Sequence, residues 1–165
     1  MPDPSFASST TNEQTASFRF PLSDLESKYY YYGLHSKAVL VARSGTDIWE
    51  LPTDPEAYLR PKGLSPVGNH PINAVWRDKL GPQIHNLLKS KGVQWTSIDV
   101  LRIGFAGERF APVVVWIGVK PDTLSGIDGL AVVKECKQLL VESEIFGVEV
   151  EIRESIVTTM ELRTR

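Results

Sequence analysis

Hydrophobic positions along the chain follow two periods. Val148, Val150 and Ile152 alternate with Glu149, Glu151 and Arg153, the period of two expected of a strand with one solvated face. Ala38 to Arg43 (AVLVAR) is an apolar run of strand length, ended by the turn signal Ser44-Gly45. Val93 to Ile103 and Ala111 to Val119 also read as strands, and the polar, glycine-containing connection 104–110 is short enough for a hairpin. The other period is helical. Pro71 opens one helix at the position where its missing N–H costs nothing, and Trp76, Leu80, Ile84, Leu87 and Leu88 fall on one stripe, with His85 and Lys89 pointing away. Pro82 interrupts this pattern without shifting its phase, so a bent helix and two short abutting helices both fit, and Gly92 ends it. A second helix starts at Ser125, whose hydroxyl with the carboxylate of Asp128 forms a capping-box pattern, and runs to about Ser143. It buries Val132, Val133, Cys136, Leu139 and Leu140.

Strand, helix, strand, strand, helix, strand is the βαββαβ order of a ferredoxin-like α+β sandwich. That architecture implies two layers and an antiparallel sheet in the order 4-1-3-2. AVLVAR and APVVVWIGV, apolar on both faces, suit the two central places, and the half-charged last strand suits an edge. Residues 1–17, rich in Ser and Thr, read as a disordered tail. The remainder, 18–165, reads as a single domain, with 18–36 an N-terminal flap built around Tyr29 to Tyr32. Residues 46–69, carrying Pro52, Pro55, Pro61 and Pro66, read as a long irregular insertion after the first strand.

Both helices of such a fold cover one face of the sheet. The other face cannot be polar here, because successive strand residues point to opposite sides and Val113 to Ile117 is apolar throughout. Exposed apolar area of that size marks an interface, a ligand site or a covering segment. Trp116, Val114, Trp49, Tyr31 and Tyr58 are the candidate interface or pocket residues. Their cover is the chain's own flap and insertion, a second copy of the chain, or a small hydrophobic ligand between sheet and flap.

Composition narrows the partners. The chain has 165 residues, 18 Lys+Arg against 20 Asp+Glu, and a net charge of −2, without the basic cluster that a polyanion binder needs. The first strand lacks the aromatics on which an RNA-recognition module stacks bases, and the third offers only Trp116, so no nucleic-acid partner is expected. Ala111 to Val119 is far shorter than the roughly 20 apolar residues of a spanning helix, and the polar start Asp3 to Thr11 is not a secretory signal. A cytoplasmic location follows as the default, with a nuclear one left open. With one Cys, no internal disulfide forms.

Chemistry-bearing residues are few. Cys136 sits in the middle of a helix's apolar stripe, where a thiol packs as a small hydrophobe. His35, His70 and His85 have no metal-ligand spacing, so no metal and no cofactor are expected. His70 reads as a helix-start residue, whereas His35 lies beside the tyrosine run, where it can line a pocket. The turn into the second helix, Ser125 and Gly126, offers free N–H groups to an anion, although capping satisfies the same groups.

The phrases VGNHPI, VQWTSIDVLRIG, PVVVWIGVKPDTLSG and CKQLL followed by VEVEIRES resemble a family of fungal proteins labelled hypothetical. The resemblance spans Pro66 to Ser155, a little over half the chain, and implies neither an activity nor a functional residue. Longer members continue past the equivalent of Glu154, which makes this chain an isolated N-terminal domain or a short stand-alone member. The Gly81-Pro82 pair departs from that family's helix-forming residues.

Two functions are therefore expected. The first is a non-enzymatic domain that binds a protein partner or forms a homodimer through the apolar sheet face. The alternative is a ligand-binding protein or a small-molecule enzyme of the cyclase or isomerase kind, with a pocket between sheet and flap and with His35, Tyr30 and Asp99 as acid and base groups. A cavity of at least about 300 Å³ lined by aromatics and a few polar groups is the mark of the alternative.

Overall fold

Val113–Val119 is buried at every position, and the sheet is built outward from it. The computed structural model describes residues 22–53 and 58–155, so the tail expected at 1–17 lies outside the described residues. In chain order the strands are β1 (Val39–Arg43), β2 (Lys62–Ser65), β3 (Trp95–Phe105), β4 (Val113–Val119) and β5 (Glu149–Glu154). β3 pairs with β4 antiparallel, as the hairpin reading expects, while β5 lies parallel to β4 on its other side. β1 and β2 close the two edges, each antiparallel to its neighbour, giving the order β1-β5-β4-β3-β2.

This corrects the ferredoxin-like arrangement: the fold is α+β, but the five-stranded sheet is mixed rather than antiparallel, and the last strand is central while the first is at an edge. The helix α4 (Gly126–Glu142) returns the chain directly beside β4, making a β4-α4-β5 crossover. The 4-1-3-2 order placed the charged strand where its polar side would meet water. Instead Glu151 and Arg153 are 6% and 8% exposed, because another segment covers them. A second correction concerns 46–69, which is not irregular throughout, since Lys62–Ser65 forms β2 against β3.

One face of the sheet carries the main core. Val41, Val115, Ile117, Val150 and Ile152 meet Ile72, Leu80, Ile84 and Leu88 of the first helical stretch and Val132, Val133, Cys136 and Leu140 of α4. The first stretch is helical from Ile72 to Ser90: α2 (Ile72–Val75), a π-helical turn Trp76–Leu80, and α3 (Gly81–Ser90). The Pro82 question is thus answered by a wider turn. Gly81 N–H bonds to Trp76 O, five residues back, which makes room for the proline ring. A Cβ on Gly81 would stand 2.9 Å from that same oxygen.

The opposite face carries a smaller core of Tyr31, Ala38, Leu40, Ile103, Val114 and Trp116. Its cover is the flap, in which α1 (Asp24–Tyr29) starts at Ser23, whose hydroxyl accepts from Glu26 N at 3.0 Å. A register shift between Leu40 and Ala42 puts Val41 and Ala42 with the main core and leaves Leu40 and Arg43 on the flap side. Gly33 then brings the flap down onto β2. Its φ of +98° and the 2.6 Å that would separate an added Cβ from Pro61 both require glycine, and Lys62 N donates to Tyr32 O at 2.7 Å.

Candidate functional site: a charged cavity under the tyrosine flap

Strand pairing sets the floor of the site. Glu151 stands opposite Arg43 on β1 and Trp116 on β4, on the flap side of the sheet. A carboxylate there has lost its water and needs donors from the protein. The flap supplies them: Tyr30 Oη donates to Glu151 Oε2 at 2.7 Å and Tyr31 Oη to Oε1 at 2.8 Å. The two rings meet edge to face at 4.9 Å, and Tyr31 meets Trp116 in the same way at 5.5 Å.

Charges around this floor are paired unevenly. Arg43 Nε donates to Glu26 Oε1 at 2.9 Å, and its two terminal nitrogens hold Asp47 Oδ1 and Asp47 O at 2.6 Å each. Both the Arg43 and Glu26 side chains are almost fully buried, so this pair fixes α1 to β1. Lys62 is different. Its Nζ stands 3.3 Å from the centroid of the Tyr30 ring, 5.7 Å from that of Tyr31 and 5.9 Å from that of Phe105. Among the described residues its Nζ makes no hydrogen bond and no ion pair. Burial pushes its pKa down, partly opposed by the Glu151 charge. Burial likewise pushes the Glu151 carboxyl up, against the two tyrosine hydroxyls, Lys62 and Arg43, which favour its ionised form. Desolvation, followed by the proximity of Glu151, raises both tyrosine hydroxyls well above their ordinary value.

Above the floor lies a cavity of about 620 Å³. Tyr30, Phe105, Trp49 and Tyr58 contribute aromatic surface to its walls, with Ile103 and Val114 below. Lys62, Arg43, Asp47, Glu149 and Glu151 bring charge to the same walls. Beside the floor the Arg153 guanidinium stacks 3.3 Å from the Trp116 ring centroid, reaching Ser97 Oγ at 3.4 Å.

The structure brings together only some of the residues singled out from sequence. Tyr30, Val114, Trp49 and Tyr58 line the cavity. Trp116 and Tyr31 are not exposed interface residues; they are buried against each other beneath the flap. His35 and Asp99 are exposed and do not line the cavity, so the set His35, Tyr30 and Asp99 reduces to Tyr30. At the start of α4, Ser125 Oγ accepts from Asp128 N at 3.1 Å, so the cap takes one of the first-turn N–H groups considered for an anion. His70 Nδ1 accepts from Ile72 N at 3.1 Å, as a helix-start residue does. Among the described residues no group of three or more His, Cys, Asp or Glu is placed to hold a metal ion, and no helix is long and apolar enough to cross a membrane.

Sequence reasoning missed Glu151, Arg43 and Lys62. Glu151 was hidden by its alternation with apolar residues, and Lys62 by its place between Pro61 and Gly63 in a proline-rich stretch. The one available signal was the tyrosine run itself, four hydroxyls with apolar bodies that need buried acceptors when packed. No protein-family profile, curated protein or solved structure matches this chain.

Proposed function

We propose that the protein binds a small molecule with an aromatic or apolar body and a polar group, in the cavity between the sheet and the tyrosine flap. The observation that carries this reading is the convergence of Lys62, Tyr30 and Glu151 on one aromatic-lined space of about 620 Å³. Ligand sites are concave, mostly apolar, and carry a few fixed polar groups with perturbed protonation. The apolar walls take up the body of the ligand, and the Lys62 and Glu151 heads orient its polar end.

Self-association through the sheet face was the other expectation, and its motive was an apolar strand lacking cover. Val114 and Trp116 are each 3% exposed beneath the chain's own flap, which accounts for that strand without a second copy. Kinship with the fungal proteins it resembles remains a proposal that assigns no residue a role.

Titration with 1-anilinonaphthalene-8-sulfonate, an aromatic anion, tests the reading. We expect a saturable fluorescence rise with one site per chain, weakened at least about tenfold, or about 1.4 kcal/mol, by Trp49→Ala and by Lys62→Met. A wild-type chain that is folded by circular dichroism yet gives no saturable signal overturns it.

A further inference from the structure

We propose that Lys62 condenses through its Nζ with an aldehyde or ketone held in the cavity, forming an imine; this names the ligand class for the reading above and rests on it. Among the described residues Lys62 is the only lysine that lines the cavity. Lys91 pairs with Glu135 at 3.1 Å and Lys137 with Glu149 at 3.5 Å, and Arg43 is held by Glu26 and Asp47. Lys62 instead faces aromatic rings, with no carboxylate within ion-pair distance among the described residues. Burial of Lys62 also favours its amine form over the ammonium.

The rest of the site supplies what condensation needs. The Tyr30 ring face positions the Lys62 head at the cavity wall, 3.3 Å from the ring centroid. In the first step the Nζ lone pair bonds to the carbonyl carbon, and an amine proton passes to the oxygen, giving a carbinolamine. In the second, the carboxyl of Glu151, which burial biases toward its protonated form, gives its proton to that hydroxyl. Water leaves as the nitrogen lone pair forms the C=N bond, and the iminium proton returns to the Glu151 carboxylate. Amine and carbonyl are thus converted to imine and one water, with no oxidant or reductant consumed.

Reductive trapping tests this on the full chain. The protein is incubated at neutral pH with substoichiometric trans-cinnamaldehyde and sodium cyanoborohydride, then analysed by intact mass and peptide mapping. We expect one reduced adduct per modified chain, located on Lys62 and lost in Lys62→Arg, a variant whose fold is checked by circular dichroism. An adduct spread over exposed lysines such as Lys37 and Lys91, in a chain that still binds the sulfonate at one saturable site, overturns the imine and leaves the cavity reading intact. Absence of both adduct and sulfonate binding in a folded chain removes the two together.

Discussion

Tyr31 and Glu151 lie 120 positions apart in sequence and meet in the buried layer between flap and sheet, the phenol donating to Glu151 Oε1 at 2.8 Å. Tyr30 makes the companion bond to Oε2, so two adjacent residues of the flap satisfy both oxygens of one buried carboxyl. This bond pair ties flap to sheet alongside the buried Arg43–Glu26 pair. Replacing Tyr31 by Phe leaves Oε1 buried without that donor, a loss of about 1–3 kcal/mol. Urea unfolding of Tyr31→Phe is expected to show a lowered midpoint with an unchanged slope.

Glu151 should leave a mark on the pH dependence of stability. In the unfolded chain a glutamate titrates near about 4.3, and burial holds the Glu151 carboxyl above that in the folded protein. The folded state then keeps the proton to higher pH than the unfolded state does. That contribution to stability is complete below the unfolded value and is lost as pH rises through the folded one. Glu151→Gln does not titrate. We expect wild type to lose stability relative to Glu151→Gln from about pH 4 upward, measured by urea unfolding of both proteins across that range; parallel profiles would contradict the assignment.

Arg43 and Glu26 test whether the flap depends on a buried ion pair. Their side chains are 3% and 4% exposed and approach to 2.9 Å. Arg43→Met leaves the Glu26 charge buried and unpaired, which costs about 3–5 kcal/mol, whereas removing both charges together in Arg43→Met with Glu26→Met costs far less. A double-mutant cycle by chemical denaturation is expected to return a large coupling energy; additive losses would assign Arg43 to Asp47 alone.

Gly33→Ala addresses the shape of the cavity. The residue adopts φ +98°, and its Cβ would meet Pro61 at 2.6 Å. Conformational strain of this kind costs about 1–3 kcal/mol, and relief requires the flap to lift from β2. We expect lowered thermal stability together with weaker binding of anilinonaphthalene sulfonate.

Cys136 is expected to be inert in the native protein. Burial among Val132, Val133 and Leu140 pushes its thiol up to about 12, so almost no thiolate exists near neutral pH. Labelling by 5,5′-dithiobis(2-nitrobenzoic acid) should therefore proceed only through unfolding, its rate rising with urea in step with the unfolded fraction.

Much of the fold was legible because it depends on local pattern. The capped start of α4 at Ser125, the stripe from Leu80 to Leu88, the β3-β4 hairpin and the all-buried β4 follow from periodicity and turn chemistry that operate within a few residues. The placing of both helices on one face was legible as well. The seat of β5 was not legible. Glu149, Glu151 and Arg153 have the alternation of a strand with one wet face, and nothing local distinguishes water from a distant tyrosine hydroxyl as the partner of a carboxylate.

The sequence by itself determined the segments of β1, β3, β4, β5 and the two longer helical stretches and which of their faces are apolar, but neither β2 nor α1. Tertiary structure alone decided that β5 lies between β1 and β4, that Gly33 lowers the flap onto Pro61, and that Lys62, Tyr30 and Glu151 share one cavity. The reason is physical. Periodicity records whether a side chain is apolar, but the protonation and pairing of Lys62 and Glu151 depend on burial, and burial is created by segments that meet only when the chain is folded.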